Sequence, residues 1–247
     1  DGGAAAAALT ALGNGFDSSD DDFLFQYGPA STEAAPLYQF MRDRGDIAMG
    51  ATLLDALVAD NDPRLPVICA VNGAGEYVGG TIGISTDAED LSRPNPTNRY
   101  YRADGITMFM SYVEQKFIEA EAELAGGDAA AATTAFQEAV AASLEEWGVY
   151  DDAWFTANIA SISPVTLSDI FYQKWIALFG QAEIFNDWRR SGNEIGLDIS
   201  PSANLAQMPY RWPYATSEQT YNSNCPEGRD LTSKVWWMGS ADPSPTK

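Results

Sequence analysis

The stretch Leu167 to Gly192, LSDIFYQKWIALFGQAEIFNDWRRSG, decides the fold. Its apolar residues Phe171, Trp175, Leu178, Ala182 and Phe185 recur at alternating steps of four and three, which sets all five on one face of a helix. A face that aromatic belongs in a core. Thr166 or Ser168 is placed to cap the start, Arg189 and Arg190 stand where cations favour the negative end of the helix dipole, and Gly192 supplies the permissive exit. Gly180 in the interior costs about 1 kcal/mol relative to Ala, so two helical halves are expected, not one rod.

Outward from this stretch, Ile106, Met110, Val113, Phe117, Ala120 and Leu124 repeat the same alternation, and Gly126-Gly127 ends it. Asp128 can cap a second helix with Phe136, Val140, Leu144 and Trp147 inward, closing at Gly148. So short a connection forces the two helices antiparallel. A third helix is expected over Ile47–Ala59, with Ile47, Leu54 and Val58 in the core and Asn61-Asp62-Pro63 as its stop. LPVICAV and EYVGGTIG are β-prone, and the Asn72-Gly73 dipeptide between them predicts a small β-hairpin. DGGAAAAALTALG at the start has the composition of a helix end. After Trp188 the chain turns to loop, with Pro201, Pro209, Pro213, Pro226, Pro243 and Pro245. Tyr210, Trp212, Tyr214, Tyr221, Trp236 and Trp237 are expected to pin that tail by burial. The fold class is mainly α, a helical hairpin with long irregular loops and a small β-hairpin.

The 247 residues carry 35 acidic against 14 basic side chains, a formal charge of -21. Such a field repels nucleic acid and anionic lipid surfaces, and its even spread suits a surface bathed in high salt. With no histidine, Ser-His-Asp and Cys-His catalysis and His-containing metal sites are excluded. Cys69 and Cys225 cannot make a four-thiolate cluster; one disulfide between them is an open possibility. The run DSSDDD at Asp17–Asp22 offers carboxylates to calcium, but it lacks the alternating ligands and glycine of a calcium loop and reads as a solvated turn. No metal or other cofactor is called for. No stretch has the length and apolarity of a membrane span.

The run QKWIALFGQAEIFNDWRRSG resembles the C-terminal signature of the SusD/RagB family of surface nutrient-binding lipoproteins. LYQFMRDRGDIAMGATLLDALVADNDPRLPV and MSYVEQKFIEAEAELAGG resemble two further family blocks in the same order, and MPYRWPYATSEQTYNSN followed by VWW resembles the family's ending. The resemblance covers most of the chain from about Leu37 to Trp237. It implies a SusD-like fold in which the helical hairpin is tetratricopeptide-like, with residues 1–247 forming the C-terminal portion of a single domain whose N-terminal half lies outside this chain. It implies a non-enzymatic protein on the outer face of the outer membrane, lipid-anchored through that absent half. Such a protein captures oligosaccharide or peptide as the lid of a TonB-dependent transporter barrel and moves by a hinge, without covalent chemistry. The alternative from another class is a tetratricopeptide-type interaction scaffold.

Carbohydrate sites combine aromatic faces with amide, carboxylate and guanidinium groups on loops. The stretch Asn98-Arg99-Tyr100-Tyr101-Arg102 offers that mixture, with Asn98, Arg99, Tyr100 and Tyr101 the candidate contacts, and Tyr77 and Trp154 are further candidates; each aromatic also has a plain reading as packing under a loop. Glu114, Glu121, Glu183 and Asp187 are the carboxylates a glycoside hydrolase reading would need, against a simpler reading as solvated faces or partners of arginines. Within the motif, Trp175 and Trp188 are core-type residues. Arg189 and Arg190 invite a role as anion clamps, but ties between helices and tail, with Asp187 as local partner, account for them better.

Overall fold

The computed structural model describes residues 2–87, 89–200, 202–226 and 230–238. In chain order the elements are α1 (Gly2–Leu12), β1 (Phe23–Gln26), α2 (Pro36–Asp43), α3 (Ala51–Ala59), α4 (Leu65–Ile68), β2 (Cys69–Ala70) and β3 (Arg93–Pro94). They continue with β4 (Ile106–Met110), α5 (Tyr112–Gly126), α6 (Ala129–Glu146), α7 (Asp152–Phe155), α8 (Leu167–Ala177), α9 (Glu183–Ser191) and α10 (Thr216–Tyr221). The fold is mainly helical, with two antiparallel two-stranded sheets, β1–β4 and β2–β3.

The α5–α6 hairpin is the centre. Gly127 at φ 94 ends α5, and the Asp128 carboxylate accepts from Ala131 N to start α6. Val113 and Phe117 of α5 meet Phe136, Val140 and Leu144 of α6, and Ile159, Val165 and Ile170 close the same cluster. The Phe117 and Phe136 rings meet edge to face at 6.4 Å.

The decisive stretch forms two helices, as its glycine requires. Thr166 and Asp169 make a reciprocal capping box at the start of α8, and Gly192 at φ 72 ends α9. Gly180 takes φ +82, and an added Cβ would stand 3.0 Å from the Tyr100 ring. The break therefore does two things: it turns the chain and lets a loop aromatic pack against bare backbone. Gly180→Ala is expected to cost about 1–2 kcal/mol for the left-handed backbone alone, with further loss from crowding of Tyr100; a shift of the urea midpoint at constant slope measures it. Because the helix breaks, the five-residue face is not continuous. Phe171 is buried and Trp175 half-buried, whereas Phe185 is 40% exposed and stacks on Trp188 at 5.8 Å.

Four local expectations are corrected. Residues 106–110 are strand β4, not the first turn of a helix: Leu24, Ile106 and Met108 face the core, and Ser111 accepts from Glu114 N to start α5. The third helix begins at Ala51, and Leu57 takes the core position expected of Val58, which is exposed. LPVICAV and EYVGGTIG do not pair with each other. Residues 65–68 are helical and β2 pairs with β3; Val78 O accepts from Ser92 N, while Gly80 exchanges backbone bonds with Met49 and Ala51. Asn72 stays in a turn, its Oδ1 accepting from Ala74 N and Glu76 N. In the tail, Tyr210 stacks on Trp188 at 5.1 Å, but Trp212 and Tyr221 are 86% and 87% exposed, and residues 216–221 are helical. Pro201, Pro243 and Pro245 lie outside the described residues.

The acidic run at Asp17–Asp22 is a capped turn. Ser18 accepts from Asp20 N, Asp21 accepts from Asp17 N, and Asp22 Oδ1 accepts from Tyr112 N at 2.7 Å, fixing the turn to α5. Cys69 is buried and Cys225 half-buried, and both are free thiols. Among the described residues no helix is long and apolar enough to cross a membrane.

Candidate functional site

The loop 95–105 is shaped by Asn98. Its Oδ1 accepts from Tyr100 N at 2.9 Å, its Nδ2 donates to Ile68 O, and its backbone O accepts from Tyr101 N and Arg102 N. This Asx-type turn throws Tyr100 inward and Arg99 toward the end of α6. Between the loop, β1 and the α6 terminus lies a hollow of about 410 Å³ lined by Gln26, Thr97, Asn98, Arg99, Arg102, Glu146 and Trp147 among others.

Arg99 reaches Glu146 with Nη1 2.5 Å from Oε1, their side chains 18% and 9% exposed. The Arg99 guanidinium also stands 5.9 Å from the Trp147 ring and 5.6 Å from Tyr100, so aromatic faces hold it in place. Burial pushes the Glu146 carboxyl up to about 7, against the opposing pull of Arg99, and the nearby Asp22 carboxylate pushes in the same direction as burial. The hollow thus joins a preset cation, an exchangeable proton, an indole and several amide and hydroxyl groups.

Of the residues expected from sequence, Asn98 and Arg99 line this hollow, while Tyr77 and Trp154 do not. Tyr100 is only 5% exposed, edge-on to Trp147 at 6.0 Å and accepting from Gln181 at 3.3 Å. Its burial pushes the phenol up to about 12. It supports the wall and presents no free face to a ligand, which corrects its expected role. Tyr101 stacks on Phe179 at 6.4 Å. Tyr77 packs beside Leu54 and Ile68, and Trp154 donates Nε1 to Asp60 O at 2.9 Å. Asn98, almost fully buried, works chiefly on the backbone. Gln26, Glu146 and Trp147 were not singled out as ligand contacts, because only the tertiary fold brings β1 and the end of α6 beside the loop.

The motif residues converge elsewhere. Lys174 of α8 and Asp187 of α9 pair at 2.8 Å, both 1% exposed, and Arg190 bridges Asp187 to Glu121 of α5. Arg189 donates to Tyr210 O at 3.1 Å and lies between the Phe185 and Trp237 rings. Glu114, Glu121, Glu183 and Asp187 line one further hollow together with Lys174 and Arg190. Those two cations engage Asp187 and Glu121 directly, so these two carboxylates are not a free acid–base pair.

The family model described as "SusD-like_2: Starch-binding associating with outer membrane" matches residues 2–215, and the chain belongs to this family. Its fold is similar to a SusD/RagB family protein from Bacteroides thetaiotaomicron (TM-score 0.76, 23% identity, 96% of this chain and 60% of that one). It is also similar to a SusD homologue from Bacteroides fragilis (TM-score 0.72, 21% identity, 94% and 60%) and to a chitin-binding protein (TM-score 0.69, 23% identity, 95% and 59%). At these identities the likeness is one of fold, and the chain spans 60% or 59% of each relative's length. Among curated protein sequences, none matches this chain significantly.

Proposed function

We propose that the chain is the ligand-capturing portion of a SusD-like protein on the outer face of the outer membrane. It binds an oligosaccharide in the hollow beside Arg99 and Trp147, without cleaving it, for delivery to a TonB-dependent transporter barrel. The observation that carries this reading is the lining itself. An indole, two guanidinium groups, two carboxamides, a hydroxyl and a carboxyl, beside Leu24, Val67 and Ile106, converge on one loop-walled concavity of saccharide size. On the same reading the chain forms the C-terminal portion of its domain, and the lipid anchor belongs to the remainder. Peptide cargo is the lesser form of the proposal, because the lining suits hydroxyl groups better than apolar side chains.

A panel of soluble oligosaccharides titrated calorimetrically against the chain tests the site. At least one is expected to bind and to be recovered intact, and both Trp147→Leu and Gln26→Ala are expected to weaken it about tenfold, or 1.4 kcal/mol. Affinity unchanged in both folded variants would place the ligand elsewhere. Cleaved product would replace the binding reading with a hydrolytic one.

A further inference from the structure

Resting on the reading of this hollow as the ligand site, we propose that it selects a saccharide bearing a carboxylate, a uronic-acid-containing oligosaccharide, and that Arg99 exchanges Glu146 for that carboxylate on binding. The Arg99–Glu146 contact is close at 2.5 Å but poorly aligned: neither Arg99 Nη1 nor Glu146 Oε1 has a hydrogen-bond partner of good geometry. An ion pair buried without aligned hydrogen bonds gives little back for the cost of desolvating it. A planar ligand carboxylate can meet the guanidinium fork with two parallel bonds. The rings of Tyr100 and Trp147 flank the guanidinium and keep it in place when Glu146 lets go.

The charged and titratable groups facing Glu146 come from each neighbouring element. Arg99 and Tyr100 belong to the loop, and Asp22 precedes β1. Arg102 lines the same hollow and pairs with Asp104 at 3.1 Å near the surface. With Glu146 ionised, its carboxylate occupies Arg99 and, with Asp22 beside it, repels an anionic ligand. With Glu146 protonated, its proton is shared with Asp22 and Arg99 is released to pair with the incoming carboxylate. The sign follows. Glu146 holds its proton below about 7, so uronate affinity is high there and falls as pH rises through that value. The overall charge of -21 opposes any anion at long range, but at physiological salt the Debye length of about 8 Å confines that repulsion.

Trigalacturonate and an uncharged trisaccharide, each titrated at about pH 6 and about pH 8 in physiological salt, test the inference. Trigalacturonate affinity is expected to fall about tenfold across that range, the factor set by one proton released near 7, while the neutral sugar changes little. Glu146→Gln is expected to hold the higher uronate affinity at both pH values, and Arg99→Gln to abolish the preference for uronate over neutral sugar. Thermal unfolding checks that both variants are folded, and Arg99→Lys, which keeps the charge but loses the fork, is expected to retain only part of the preference. Neutral sugar binding that depends on Trp147, with no uronate preference at either pH, would overturn this inference alone. Failure of both sugars to bind would remove the reading of the hollow with it.

Discussion

Arg64→Met is expected to destabilise the chain by about 3–5 kcal/mol, because it strands a carboxylate inside the protein. Arg64 is fully buried, and its Nε and Nη2 donate to the two oxygens of Asp62 at 2.9 and 2.6 Å. Nη1 donates to Ser143 Oγ on α6 at 3.2 Å, and Nη2 also donates to Gln173 Oε1 on α8 at 2.8 Å. One guanidinium thus ties the loop after α3 to both principal helices. Methionine fills a similar volume and keeps the backbone N–H that donates to Asp62 Oδ1 at 2.9 Å, but it leaves the Asp62 charge without its cation and Ser143 Oγ and Gln173 Oε1 without the guanidinium donors. Arg64→Lys keeps the charge and loses the planar fork, so an intermediate loss is expected. Urea unfolding at constant slope measures all of these; a loss below about 1 kcal/mol for Arg64→Met would mean that water or rearranged side chains satisfy Asp62.

The sequence made much of this fold legible because its punctuation is chemical. Asp128, Gly127, Thr166, Gly180 and Gly192 each cap, stop or turn a helix by a local mechanism that needs no partner from elsewhere in the chain. Residues 106–110 were misread for a physical reason. Ile106, Met110 and Val113 fit a helical repeat, while Ile106 and Met108 fit a strand, and only pairing with β1 decides between them. The capping serine at 111, followed by Glu114, was the available sign that the helix starts later. In the tail, aromatic content predicted burial, but stacking partners exist for Tyr210 and not for Trp212 among the described residues. The candidate site was half legible. Asn98 and Arg99 advertise themselves on a polar loop, whereas Glu146 sits in an ordinary acidic helix end, and nothing in its neighbourhood along the chain marks it. Tyr100 was mistaken because an exposed-loop composition does not reveal that Gly180, far along the chain, has left room for its ring.

Asp187→Leu alone is expected to cost about 3–5 kcal/mol and Lys174→Met alone less, because Arg190 still pairs Asp187, while the double replacement costs at least about 1 kcal/mol less than their sum. The pair meets at 2.8 Å with both side chains 1% exposed, so Asp187→Leu leaves Lys174 uncompensated in the interior, whereas Lys174→Met leaves Asp187 with Arg190 as its remaining cation. Asp187 has a second bond, accepting from Arg190 Nε at 2.7 Å, but Arg190 retains Glu121 when Asp187 is gone. The double variant therefore strands no full charge on this pair's account. Glu114 gives the series a second readout. Burial raises its carboxyl above the ordinary 4.5 and Lys174 holds it down. The folded chain thus keeps a proton that the unfolded chain has already released, and the stability this contributes is lost as pH rises from about 4.5 to the folded value. Lys174→Met removes the group that restrains the shift, so its loss of stability with rising pH extends to higher pH than in the parent chain. Urea midpoints across that range distinguish the two contributions. A deficit of Lys174→Met that grows as pH rises above 4.5, and that Glu114→Gln in the same background abolishes, shows Glu114 titrating inside the buried network; a deficit that Glu114→Gln leaves unchanged removes Glu114 from this account.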